Sequence, residues 1–191
     1  MLPKGIIHDR LEKLAESILV DNHNQEVVFL VLLRGGVVLA QSLFEKIGSL
    51  IKSNAYCMKY KFEYISVARI GVENINRVIK IQEDEELFKS LKGKTVILLE
   101  DMIDTGLTLY KIINLLKKYE PLSIKCLILF KKMRPEKLQY DYEIDYLGFL
   151  VPNDSRYFGF GMDICEQLRE IDHVCSPTEL CLETLKKKKI K

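Results

Sequence analysis

Residues 27–33 (Val27-Val28-Phe29-Leu30-Val31-Leu32-Leu33) form an uninterrupted apolar run, as do residues 96–99. Residues 124–130 add one lysine to the same pattern. Runs this short and this continuous are expected of strands buried on both faces, as in a parallel sheet covered by helices. Between them the apolar spacing turns helical. Asp9 and Glu12 read as a capping box, followed by Leu11, Leu14, Ala15, Ile18 and Leu19 at helical intervals. After Arg34-Gly35-Gly36 a second stripe runs through Val37, Ala40, Leu43, Phe44 and Ile47. A third, over 105–119, carries Leu109, Ile112, Ile113 and Leu116. Further strands are predicted over 56–65, 146–151 and 157–160, and a short acidic helix over 83–90. The polar stretch 66–80 is predicted to be a mobile loop. This alternation predicts one α/β domain spanning 1–191, built on a mostly parallel sheet. Ligands of such sheets sit beyond the carboxyl ends of the strands. Chemistry is therefore sought just after Leu33, Leu99, Phe130 and Val151.

Composition narrows the function classes. With 29 Lys+Arg against 27 Asp+Glu, the net charge is +2, which gives no bulk electrostatic drive toward nucleic acid. The apolar runs are far shorter than the roughly 20 residues that span a bilayer. The first residues, Met1-Leu2-Pro3-Lys4-Gly5, carry no secretory h-region. Five cysteines without a CxxC pair read as reduced packing residues of a cytoplasmic protein. Three scattered histidines do not suggest a His-based metal site. The lysines 186–189 read as a solvated tail.

The most informative segment is Val96-Ile97-Leu98-Leu99-Glu100-Asp101-Met102-Ile103-Asp104-Thr105-Gly106-Leu107-Thr108. A buried strand runs into two adjacent acids, and Asp-Thr-Gly-x-Thr then opens a helix. Gly106 permits close backbone approach, and a helix N-terminus favours an anion. Thr105 and Thr108 can donate to phosphate oxygens. Glu100 and Asp101 can accept hydrogen bonds from the hydroxyls of a sugar. A phosphate cradle beside a diol-binding acid pair describes a phosphorylated ribose. The segment lacks the GxxxxGK[ST] pattern of a triphosphate loop.

This stretch resembles the phosphoribosyl-pyrophosphate motif of the type I phosphoribosyltransferases, in the form carried by the hypoxanthine-guanine enzymes. Three further segments match that family in order. The resemblance implies a mostly parallel sheet flanked by helices, with a small hood formed by terminal segments. It implies transfer of 5-phosphoribosyl from phosphoribosyl pyrophosphate to a 6-oxopurine, giving IMP or GMP and pyrophosphate. A sensor that binds phosphoribosyl pyrophosphate without turning it over, or a related enzyme with another purine preference, is the alternative.

By the same resemblance, Glu100 and Asp101 hold the ribose, and Asp104, Thr105, Gly106, Leu107 and Thr108 hold the 5′-phosphate. Asp104 is the candidate general base or acid at the purine N7. Leu33, Arg34, Gly35 and Arg169 would contact pyrophosphate, with a cis peptide at Leu33–Arg34. Lys131 would contact the purine 6-oxo group, with Lys132 competing for that role. Either Arg156 or Tyr157 would lie on the base. Asp163 stands near the purine, the pyrophosphate and the metal. Mg²⁺ is the implied cofactor, with Glu100, Asp101 and Asp163 as its candidate ligands. Ser66 matches the family's mobile loop without the tyrosine that usually follows, and Leu107 replaces a frequent lysine. A homodimer or homotetramer is implied, with no membrane or nucleic-acid partner.

Overall fold

The computed structural model describes residues 1–53, 56–72, 75–134, 140, 142–181 and 184. Its elements are α1 (Lys4–Asp21), β1 (Glu26–Leu33), α2 (Gly36–Ser53), β2 (Lys59–Val72), β3 (Ile75–Ile81) and α3 (Glu85–Lys89). They continue with β4 (Thr95–Ile103), α4 (Leu107–Leu116), a 3-10 turn (Lys117–Tyr119), β5 (Ser123–Met133) and β6 (Tyr146–Pro152). One six-stranded sheet runs in the order β3-β2-β1-β4-β5-β6. Every neighbouring pair is parallel except β2 and β3. This is the expected sheet.

The two-residue period of the strands divides the core. Phe29, Val31, Ile97, Leu99, Leu127 and Leu129 pack with Ile7, Leu11 and Ile18 of α1 and Leu39, Leu43 and Ile47 of α2. Val28, Leu30, Leu32, Val96, Leu98 and Ile128 face Phe88 of α3 and Leu109, Ile112 and Leu116 of α4. β1 is buried from Val27 to Leu32 because helices cover both faces. α2 and α4 thus pack on opposite faces of the sheet, while β1 and β4 lie side by side. That is a switch point of the strand order, and a crevice opens there beyond the strand ends.

Phe29 has no exposed surface. It stacks on Phe62 with ring centroids 4.8 Å apart and meets Tyr60 edge-on at 6.2 Å. Phe29→Ala is expected to cost about 3–5 kcal/mol. Its urea midpoint would report this, and a loss below about 1 kcal/mol would mean that the core closes over the gap.

Several local expectations are corrected. α1 begins before Asp9, with Pro3 as its N-cap, so Asp9 and Glu12 form no capping box. The start is set by packing: Ile7 is fully buried one turn ahead of Leu11. Leu2 also exchanges two backbone hydrogen bonds with Val174, at 2.7 and 3.0 Å. In α2 the buried stripe runs through Leu39, Ala40, Leu43 and Ile47, while Val37 and Phe44 are exposed. Phe44 packs instead on the rings of Tyr60 and Phe62 at the rim.

The described residues of the stretch 66–80 are strand rather than loop. β2 extends to Val72 and pairs antiparallel with β3, with Val67, Ile70 and Val72 opposite Ile81, Val78 and Ile75. Antiparallel backbone pairing gives these residues the order that their polar composition did not suggest. Residues 157–160 form no regular strand. Phe158 makes an isolated bridge to Cys175 and Gly159 one to Met162. Positive φ at Gly159, Phe160 and Gly161 (90°, 48° and 92°) turns the chain away.

These bridges, with Leu2↔Val174, draw the terminal segments together as the expected hood. All five cysteines are free, and burial pushes the Cys126 thiol up to about 12, so it stays a packing group. Among the described residues no helix is long and apolar enough to cross a membrane. The lysines 186–189 lie outside the described residues.

Candidate active site

β1 and β4 end side by side, and a cleft of about 400 Å³ opens beyond them. Leu33, Arg34 and Gly35 enter it from the end of β1, and Ser66 from β2. Glu100, Asp101 and Thr108 come from β4 and the start of α4. Asp163 and Arg169 come from the C-terminal region. The Leu33–Arg34 peptide is cis. Residues scattered over more than 130 positions of sequence therefore converge at one place, as an open parallel sheet allows.

β4 continues beyond the expected boundary at Leu99, so Glu100 and Asp101 lie within the strand rather than leaving it. Its extension is held by β5, whose Ile128 and Phe130 lie opposite Glu100 and Met102. Glu100 is only 5% exposed, a buried acid at the edge of the cleft. The Asp101 carboxylate accepts from the Met102 N–H at 2.7 Å. A Cβ on Gly35 would strike this carboxylate and force it to swing aside, so a glycine after Arg34 lets the Asp101 side chain keep its place against the turn.

Residues 104–108 make the turn into α4. Gly106 is its N-cap, with φ +82°. The first turn of a helix has no internal acceptors for its N–H groups, which makes this turn suited to an anion. A second, smaller hollow of about 50 Å³ is lined by the turn and by Glu100. Arg134 clasps Asp104: Nε donates to Oδ1 at 2.9 Å and to the main-chain oxygen at 3.1 Å, and Nη2 also donates to Oδ1. From the other direction the Tyr142 hydroxyl donates to the Gly106 carbonyl at 3.2 Å. Burial first, then the Cys126 thiol and the Glu100 carboxyl, push the Tyr142 phenol up, so it remains a donor.

The C-terminal wall is built on one ion pair. Arg169 Nη2 donates to Asp163 Oδ1 at 2.6 Å and Nη1 to the Gly161 carbonyl at 2.7 Å. The other Asp163 oxygen accepts from the Glu166 N–H at 2.8 Å. Asp163 is thus engaged on both oxygens. Among the described residues no three His, Cys, Asp or Glu side chains come together as a metal-binding group, so the expected trio Glu100, Asp101 and Asp163 is not assembled.

The lining of the cleft does not include Lys131, Arg156 or Tyr157. Lys131 is half-buried in β5, opposite Ile103. Lys132 Nζ stands 5.9 Å from the centre of the Tyr157 ring, and the Tyr157 hydroxyl donates to the Pro152 carbonyl at 3.0 Å. Arg156 is exposed. Of the two candidates for covering the base, Tyr157 is thus already packed under a cation, and Arg156 is the more exposed residue beside it.

Residues 3–164 match the family model described as "Phosphoribosyl transferase domain". The chain belongs to the phosphoribosyl transferase family. It is a divergent member. Hypoxanthine-guanine phosphoribosyltransferase of Bos taurus is 30% identical over 178 residues, covering 93% of this chain and 80% of that one. Phosphoribosyltransferase domain-containing protein 1 of Xenopus laevis is 31% identical over 174 residues, covering 91% and 76%. The crystal structure of a hypoxanthine-guanine phosphoribosyltransferase from Bacillus anthracis superposes with a TM-score of 0.73 at 25% identity, covering 93% of this chain and 96% of that one.

Two residues of this phosphoribosyltransferase site were missed in the sequence. Arg134 is brought to Asp104 because β4 and β5 end together, with Ile103 opposite Lys131. A cation three residues past a strand-end lysine carries no signal until that register is known. Tyr142 stands among polar and aromatic neighbours with no periodic pattern, and only its reach to Gly106 distinguishes it.

Proposed function

We propose that the protein transfers 5-phosphoribosyl from phosphoribosyl pyrophosphate to hypoxanthine or guanine, releasing pyrophosphate and forming IMP or GMP. The observation that carries this reading is the convergence in one cleft of the β4 acids, the Thr108 end of the 104–108 turn and the Leu33–Gly35 turn after β1. The turn amides and the Thr105 and Thr108 hydroxyls hold the 5′-phosphate. Glu100 and Asp101 hold the ribose diol. Backbone groups of the turn from Leu33 to Gly35 receive the pyrophosphate, and Arg169, neutralised in part by Asp163, borders it.

A purine ring nitrogen attacks the anomeric carbon as the carbon–pyrophosphate bond breaks, through a transition state with oxocarbenium character. Asp104 accepts or returns the proton at N7 in this reading. Lys131 serves the 6-oxo oxygen, and Arg156 or the Tyr157 ring covers the base. The backbone-rich cradle needs no lysine at Leu107.

Mg²⁺ fits this set. It keeps most of its waters and needs only one or two carboxylates beside substrate phosphates, which Glu100 and Asp101 at the cleft supply. When bound it would neutralise the departing pyrophosphate. Asp163, engaged by Arg169 and the Glu166 N–H, would act through the pyrophosphate wall instead. The resemblance further assigns a cytoplasmic homodimer or homotetramer, which light scattering on the purified protein would measure.

Turnover with hypoxanthine, guanine, xanthine and adenine side by side, with Mg²⁺ and then with excess chelator, tests this reading. Product is expected from the first two bases and none after chelation. Xanthine as the preferred base would move the protein to a sister specificity. No product at high protein concentration, with phosphoribosyl pyrophosphate still bound, would make it a sensor.

A further inference from the structure

The 104–108 turn offers its amides to an anion only if its peptide planes are held in one orientation. In a trans peptide the carbonyl and the following N–H lie in one plane and point in opposite directions. The Asp104 carbonyl therefore sets the direction of the Thr105 N–H, and the Gly106 carbonyl sets that of the Leu107 N–H. Each of these carbonyls is tied by a side chain from outside the loop. Arg134 Nε donates to Asp104 O at 3.1 Å and the Tyr142 hydroxyl to Gly106 O at 3.2 Å. Gly106 O also accepts from the Tyr110 N–H at 3.1 Å, so the helix start and the tyrosine hold the same oxygen.

Neither residue lines the ≈ 400 Å³ cleft. Arg134 follows β5, and Tyr142 lines a different cavity of about 370 Å³ together with Ile113 and Cys126. Gly106 is the one position of the turn with positive φ, where the backbone is least restrained by its own side chain. We propose that Arg134 and Tyr142 are positioning residues that orient the Thr105 and Leu107 amides toward the 5′-phosphate by tethering the opposite ends of their peptide planes. The inference rests on the reading that this turn binds the 5′-phosphate.

The two tethers differ in kind. Tyr142 makes a neutral, single bond from a half-buried ring. Arg134 adds two charge-assisted bonds to the Asp104 carboxylate, so it restrains the side chain of the candidate base together with the main chain. A lysine at 134 would keep the charge but could not reach both Asp104 oxygens in a fork.

The test uses the full chain and two ligands that differ only in the phosphate, GMP and guanosine. Tyr142→Phe keeps the ring and removes the hydroxyl. Arg134→Gln removes the fork from an exposed site. Both variants are expected to weaken GMP and to raise the KM for phosphoribosyl pyrophosphate by about five-fold or more, the worth of one hydrogen bond. Guanosine affinity and Tm are expected to stay near the wild-type values. Arg134→Lys is expected to restore part of the loss.

Unchanged GMP affinity in both variants, in an active wild-type background, would overturn the inference and leave the proposed reaction standing. Equal weakening of GMP and guanosine would also overturn it, because a general loosening of the fold moves both. Wild-type protein that neither binds GMP nor forms product would overturn the proposed function and this inference with it.

Discussion

Asp104→Asn is expected to lower kcat by about 10²–10⁴-fold, the usual worth of a positioned general acid or base. The affinity for phosphoribosyl pyrophosphate should stay within a few-fold of wild type. The substitution is a clean one here. Asparagine keeps an oxygen where Arg134 Nε and Nη2 donate, and the main-chain bond from Arg134 to residue 104 does not depend on the side chain. The turn therefore keeps its shape while the group loses its capacity to take a proton. Steady-state rates with guanine, set beside calorimetric binding of phosphoribosyl pyrophosphate, separate the two effects. Full turnover in the variant would remove Asp104 from the chemistry and leave it only the role of a turn residue.

Gly161→Ala is expected to be among the most damaging changes of a single methyl group. Gly161 has φ +92°, a backbone conformation that side chains rarely adopt. Its added Cβ would strike the Gly35 carbonyl oxygen. Backbone cannot step aside as a flexible side chain can. Strain and overlap together should cost about 2–4 kcal/mol. In a chain of this size that lowers Tm by about 5–10 °C.

The damage should also reach the site. Gly161 accepts from Arg169 through its carbonyl, and its N–H donates to the Arg169 carbonyl at 3.0 Å. The same methyl group thus pushes the Gly35 turn and the Arg169–Asp163 pair apart. The KM for phosphoribosyl pyrophosphate should rise by about ten-fold or more at a temperature where the variant is folded, equal to about 1.4 kcal/mol of lost binding. Calorimetric melting together with KM at 15 °C checks both parts. A variant with wild-type Tm would show that the hood shifts freely over β1.

Much of this architecture was legible without coordinates. Residues 27–33 read as a strand because a long unbroken apolar run has no other place to go than between two covering layers, and both faces of β1 are indeed packed. The Glu-Asp-x-x-Asp-Thr-Gly-x-Thr order also read correctly as a strand end followed by a helix start. A positive φ at glycine and the first helical turn are local features, set within a few residues.

Other features were not legible for an equally physical reason. The stretch 66–80 lacks a strong apolar pattern, and its strand character comes from pairing between residues up to fourteen positions apart, such as Val67 and Ile81. The start of α1 depends on Leu2 meeting Val174, at the other end of the chain. Arg134 belongs to the site only through the register of β4 and β5.

What the amino-acid sequence determined by itself was the class of fold, the position of the glycine turn that opens α4 and the family to which the motif points, because each rests on short-range periodicity or on a contiguous motif. What only the tertiary structure decided was which distant side chains meet that turn. Arg134 on Asp104, Tyr142 on Gly106 and the close approach of Gly161 to Gly35 are contacts between separate elements. Strand register and helix packing set them, and neither quantity is written in the spacing of residues along a single segment.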